Sequence, residues 1–235
     1  VQTAGLGAEN ASTTGGLTNI VTRSGSNKLE IDTSIRYSDQ NLRFFEDARD
    51  RGRKFRSAEL NLNVGGPVVK DRLWYFVSVQ GVNSISTIPL DTTGQFPEHP
   101  PLSILGMNAF GKLTWQATAR NKLELKLIYS PAVFNNVLQS PLVEPEAEAR
   151  STQSNRFIGA SWNSVLTDRL VMVSRAGFQE IFLGLDPQSC QWDPNCSFTP
   201  GEIDLLSGIS RGNFTSQSRT YRRSFEFSGH LEWFK

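Results

Sequence analysis

Cys190 and Cys196 enclose Gln-Trp-Asp-Pro-Asn, a stretch that reads as a turn, so a small disulfide loop is sterically reasonable. Two unrelated thiols, or a metal site, are the alternatives; a metal would want more ligands than His99 and His230 could supply. A disulfide implies an oxidising compartment. The carboxylates Glu30, Asp32 and Glu59 could neighbour one another on one face of adjacent strands, but general acid–base work needs convergent geometry that spacing alone does not show. A hydrated wall is the bland account of them. The sequence has no H-E-x-x-H, G-x-S-x-G, phosphate-cradling glycine loop or Cys/His cluster, so neither enzymatic activity nor a cofactor is expected. His99, in Phe-Pro-Glu-His-Pro-Pro-Leu, reads as a solvent-exposed loop histidine. After the cysteines, Thr199, Pro200 and Glu202 have the spacing of a capped short helix ending near Gly208.

The chain that must position these residues has 235 residues and a net charge of +1, with no long basic run; nucleic acid is not an expected partner. Nineteen glycines and 10% aromatics, with Asn, Ser and Thr between short apolar stretches, suit strands and turns better than packed helices. The longest apolar runs, such as residues 73–77, are far short of the roughly 18 residues a membrane-spanning helix needs. The sequence begins at Val1 without a charged-then-apolar leader, so for an exported protein it reads as an excerpt.

Period two is the dominant pattern. Leu29, Ile31, Thr33, Ile35 and Tyr37 alternate with Glu30, Asp32, Ser34, Arg36 and Ser38. The same alternation runs through residues 58–65, 73–80, 112–117, 123–130 and 224–233, and less regularly through 156–166 and 170–183, giving eight expected strands. One face repeatedly carries charges of both signs and must be wet, while the other is aliphatic and aromatic throughout. Short turns at 67–72, 119–122 and 167–169 alternate with long loops at about 39–55, 86–105, 131–152 and 186–221. That parity is the habit of outer-membrane barrels, with the short turns periplasmic, and it favours such a barrel over a soluble sandwich. Trp74, Tyr75 and Phe76 follow a short turn and Trp233 falls towards the same side, so these four are expected to form an aromatic girdle at headgroup level. Ordinary cross-strand packing is the alternative. The loop at 43–56 holds Arg43, Arg49, Arg51, Arg53, Lys54 and Arg56 against Glu46, Asp47 and Asp50; placed outward, its arginines could meet lipopolysaccharide phosphates, or simply form a solvated loop.

Residues 1–27 lack this alternation and are punctuated by glycines. At GGLTNIVTRSGSN (residues 15–27), followed at once by a strand, the sequence resembles TonB-dependent outer-membrane transporters. A second match, NVGGPVVKDRLWYFVSVQG (residues 63–81), resembles the Oar-like branch of that family. The resemblance makes Gly15, Gly16, Asn19, Thr22 and Gly25 the end of a plug domain. It also makes Gly65, Gly66 and Pro67 the shapers of a tight periplasmic turn, with Lys70 and Asp71 at its wet tip. It implies residues 1–27 as the C-terminal end of a plug and 28–235 as about eight of roughly 22 antiparallel barrel strands. It further implies uptake of a bulky nutrient (an iron chelate, oligosaccharide or peptide) and a TonB-type energising partner reached through an upstream segment. The rival is a structural barrel subunit of a surface, adhesion or secretion assembly, with stable partner chains.

Overall fold

A computed structural model describes residues 22–42, 55–87, 96, 98–188 and 201–234. Eight strands form one antiparallel sheet: β1 (Glu30–Asp39), β2 (Phe55–Val69), β3 (Leu73–Ser86), β4 (Leu102–Thr118), β5 (Asn121–Val137), β6 (Ala149–Thr167), β7 (Leu170–Pro187) and β10 (Ser218–Trp233). Each strand pairs with its sequence neighbour, so the sheet is a pure meander. A separate two-stranded hairpin, β8 (Glu202–Ile203) and β9 (Ser210–Arg211), lies in the last long loop. The sheet is open: β1 and β10 are its edges.

Directly paired residues of an antiparallel sheet share a face, and neighbours along a strand alternate. One row crosses all eight strands as Ile31, Val64, Val77, Gly111, Leu127, Ile158, Phe178 and Phe225, entirely apolar. The adjacent row, on the opposite face, reads Asp32, Asn63, Ser78, Phe110, Ile128, Phe157, Gln179 and Ser224. The alternation in the sequence thus becomes a two-faced wall.

No second layer covers the apolar face among the described residues. Ile35 is 80% exposed and Phe225 74%, and among the described residues the buried apolar side chains are Phe76, Ala147, Ala149 and Phe182. A sandwich would bury that face against a second sheet. A face this large, left bare in water, would forgo about 25 cal/mol for every Å² it could hide, so its natural solvent is apolar.

The strands of this sheet run 10 to 19 residues, and all but β1 outrun the expected alternating stretches. A tilted strand needs about 9–11 residues to cross a bilayer, a length that all eight reach. The turns at 70–72, 119–120 and 168–169 share one end of the sheet, and the long loops share the other. The segment after the cysteines is a correction to the expected helix. Glu202 and Ile203 pair with Arg211 and Ser210, and Asp204 accepts bonds from the Leu206 N–H and the Ser207 hydroxyl. That side-chain turn competes directly with helix continuation.

Candidate functional site

The non-apolar face is built as a hydrogen-bonded polar surface. Asn63 donates to Asp32 (3.1 Å), Asn108 to Gln80 (3.2 Å) and Gln179 to Asn155 (3.1 Å), each across a strand pair. Near its middle, Glu124 is ringed by Lys122 (3.0 Å), Lys112 (3.2 Å) and Lys126 (3.9 Å). Beside it, a concavity of about 280 Å³ is floored by Gly159 and Gly177 and includes Arg175 and Glu226. The ring of Phe157 lies over these glycines; a Cβ on Gly159 would stand 2.6 Å from it. The three carboxylates singled out by sequence do not converge. Glu30 meets Arg23 (3.8 Å), Asp32 meets Asn63, and Glu59 meets Arg36 (3.7 Å). Each is held by a different partner of opposite or neutral character, as a hydrated wall requires.

The segment before β1 runs onto this same face. Arg23 sits over the Phe76 ring (5.6 Å), and Gly25 lies so close to β3 that a Cβ there would be 2.1 Å from the Tyr75 carbonyl oxygen. Asn27 ties the segment to the β2–β3 turn: its Oδ1 accepts from the Asp71 N–H (2.9 Å) and the Trp74 indole (2.7 Å), and its Nδ2 donates to the Asp71 carboxylate. Sequence reading missed Asn27, although Asn next to a turn is a ready donor–acceptor pair.

Two expectations are corrected here. Gly65, Gly66 and Pro67 do not form the turn; all three lie inside β2, and the turn is residues 70–72, with Asp71 left-handed at φ 62°. The backbones approach closely instead: a Cβ on Gly65 would stand 3.5 Å from Gly25 Cα, and a Cβ on Gly25 3.0 Å from the Gly66 carbonyl oxygen. The expected girdle also divides. Tyr75 and Trp233 share the apolar face through the rows Tyr75–Leu113 and Trp233–Leu170, but Trp74 and Phe76 alternate onto the polar face. Three consecutive strand residues cannot share one face. Trp115, an apolar member of the alternation over 112–117, and Trp162 stand on the apolar face towards the short-turn end. Trp162 donates to Asn121 beside the β4–β5 turn (3.1 Å).

At the other end the long loops are stitched together. Phe96 N–H reaches the Pro141 carbonyl (3.0 Å), Gln139 the Pro100 carbonyl (2.6 Å), Glu144 N–H the Ser210 carbonyl (2.9 Å), and Gly212 N–H the Glu144 carboxylate (2.7 Å). His99 is not exposed, as its sequence context suggested. Its side chain is 2% accessible, with Nδ1 facing Glu148 and Nε2 facing the Phe96 carbonyl (2.9 Å). Glu148 is wholly buried, and burial pushes its carboxyl above the usual carboxylate range, while His99 and Gln139 pull the other way.

Of the remaining expectations, Cys190, Cys196, Gly15, Gly16 and Asn19 lie outside the described residues, as do Arg43, Arg49, Arg51, Arg53 and Lys54. No group of three or more His, Cys, Asp or Glu suited to a metal occurs among the described residues.

No family model and no curated protein matches the chain. Among solved structures, the crystal structure of the siderophore receptor PirA from Acinetobacter baumannii superposes with a TM-score of 0.60. The match covers 92% of this chain and 29% of that one, at 17% identity. The chain has the fold of part of a β-barrel wall. The likeness at this identity is one of fold, and the chain spans under a third of that receptor's length.

Proposed function

We propose that this chain is part of a TonB-dependent outer-membrane receptor that takes up a bulky nutrient. In this reading residues 28–235 are the first eight strands of its wall and residues 1–27 the end of its plug. The observation that carries it is the eight-stranded meander itself, apolar on one face and hydrogen-bonded on the other, which matches a siderophore receptor over 92% of the chain. The open edges support it: unpaired backbone groups along β1 and β10 cannot stand in hydrocarbon, so further strands must close the wall. The segment carrying Arg23, Gly25 and Asn27 enters on the polar face, where a plug would sit. The short turns then face the periplasm and the stitched long loops the exterior, where nutrient is first met. An iron chelate, an oligosaccharide and a peptide all remain candidates for that nutrient.

The deciding experiment is uptake by cells bearing or lacking the full-length protein, with and without an uncoupler of the inner-membrane proton gradient. Energised uptake of one nutrient class, lost with the protein and with the uncoupler, is expected. Uptake indifferent to the uncoupler, or a protein isolated only as a fixed subunit of a larger surface assembly, would overturn the proposal in favour of a structural barrel.

A further inference from the structure

On β5, β6, β7 and β10 the apolar face is broken by one charged row, while on β2 and β4 it continues past that level through Leu60 and Leu105. Going up β5, β6, β7 and β10 from the short turns, the apolar-face residues are uncharged through Leu127, Ile158, Phe178 and Phe225. The next residues of that face form the row Tyr129, Arg156, Glu180 and Arg223. Glu180 stands between the two arginines, accepting from Arg156 Nη1 at 3.3 Å and Arg223 Nε at 2.7 Å. Arg156 also lies over the Tyr129 ring and Arg223 over Tyr221, each at 5.7 Å. The guanidinium groups are therefore held in place by a shared carboxylate and an aromatic ring apiece, yet their side chains remain 60% and 64% exposed. Two cations to one anion leave the row with a positive excess, and Arg219 follows on the same face of β10.

Their height matters as much as their charge. Arg156 and Glu180 lie about eleven or twelve residues along their strands from the turn at Asp168 and Arg169. With a rise of about 3.3 Å per residue and a tilt near 40°, this places them roughly 30 Å above the short-turn rim. That is just past the edge of a lipid-facing band about 25 Å tall.

We infer that Arg156 and Arg223, positioned by Glu180 and flanked by Tyr129 and Tyr221, bind the phosphates of outer-leaflet lipopolysaccharide. The inference rests on the membrane-barrel reading above. Charge complementarity decides the ligand: a guanidinium aimed outward at headgroup level, above an apolar wall, meets phosphate rather than sugar or acyl chain, and binds it through paired N–H donors. Tyrosine rings on either side suit the same interface, where one end of a side chain is apolar and the other wet.

The test uses the full-length protein purified in detergent and presented with phosphatidylcholine vesicles carrying lipid A, either bis-phosphorylated or dephosphorylated. The wild type is expected to prefer the phosphorylated lipid, with a preference that falls as salt rises. R156Q/R223Q is expected to bind it at least about tenfold more weakly. R36Q, which removes an arginine from the opposite face, serves as the control and is expected to bind like the wild type. Heat-modifiable migration of each variant reports whether the barrel is folded. Folded R156Q/R223Q that binds like the wild type, or a wild type indifferent to the phosphates, overturns the inference and leaves the barrel intact. A wild type with no heat-modifiable form overturns the membrane reading beneath it.

Discussion

Asn27 shows how one side chain can fix where a segment meets a wall. Its amide serves three groups of the β2–β3 turn, and Asn27→Ala would leave the Trp74 indole and the Asp71 N–H to water. Because these partners are exposed, the expected loss is near the low end for a hydrogen-bond set, about 1 kcal/mol. Faster amide exchange at Asp71 and a red-shifted Trp74 emission would report it; unchanged exchange would show that the clamp is idle. Gly25 is less forgiving, since its missing Cβ faces a backbone carbonyl rather than a movable side chain. Gly25→Ala is expected to lift the segment from β3 at a cost of about 1–3 kcal/mol, visible as new protease cleavage near Arg23. Glu148 sets a pH response. Burial raises its carboxyl, so the folded state holds the proton more tightly than the unfolded chain. The resulting stabilisation is present below the ordinary carboxylate pKa and is lost as pH rises through the raised value. Protection factors in residues 138–148, taken against the intrinsic exchange rate at each pH, should therefore rise on acidification through the carboxylate range, and Glu148→Gln should flatten that dependence.

Strands give the alternation its energetic meaning. Leu125 and Lys126 are neighbours in β5, but the register sends one to the apolar face and the other to the polar face. Leu125→Arg, at mid-height of the apolar face, is expected to cost about 2–4 kcal/mol in a bilayer. Lys126→Leu, which removes only a 3.9 Å half-exposed pairing with Glu124, is expected to cost under about 1 kcal/mol. Urea unfolding of the lipid-reconstituted protein separates the two, and equal costs would argue against a lipid-facing surface. The same register explains why Trp74 and Phe76 left the expected girdle: a run of aromatics in a strand divides between faces, however clear its place in the sequence. At the β8–β9 hairpin the competition went the other way. Thr199, Pro200 and Glu202 spell a helix start, but Asp204 closes a turn on Leu206 and Ser207. Gly208, left-handed at φ 72°, then completes a hairpin.

For the molecule as a whole, the open sheet is the governing fact. With β1 and β10 both unpaired along their outer edges among the described residues, the 235-residue chain by itself is expected not to yield a heat-modifiable, protease-resistant barrel in lipid vesicles. If it did, closing β1 onto β10, the wall would be complete with eight strands and the larger receptor reading would fail. The stitched long loops point in the same direction, since Glu144, Ser210, Gly212 and Phe96 join three connections into one cap over the wall.

The sequence by itself determined the parity of the wall: which residues alternate, that there are eight strands, and that short and long connections take turns. Those features are local, because a period of two is written residue by residue. Tertiary structure alone decided the rest. The row Tyr129–Arg156–Glu180–Arg223 joins residues from four strands that only register brings side by side. The burial of His99 depends on a glutamate 49 positions away. Gly65, which reads as a turn former, lies inside β2 against Gly25, because close approach of two backbones is a property of their packing and leaves no period in the chain.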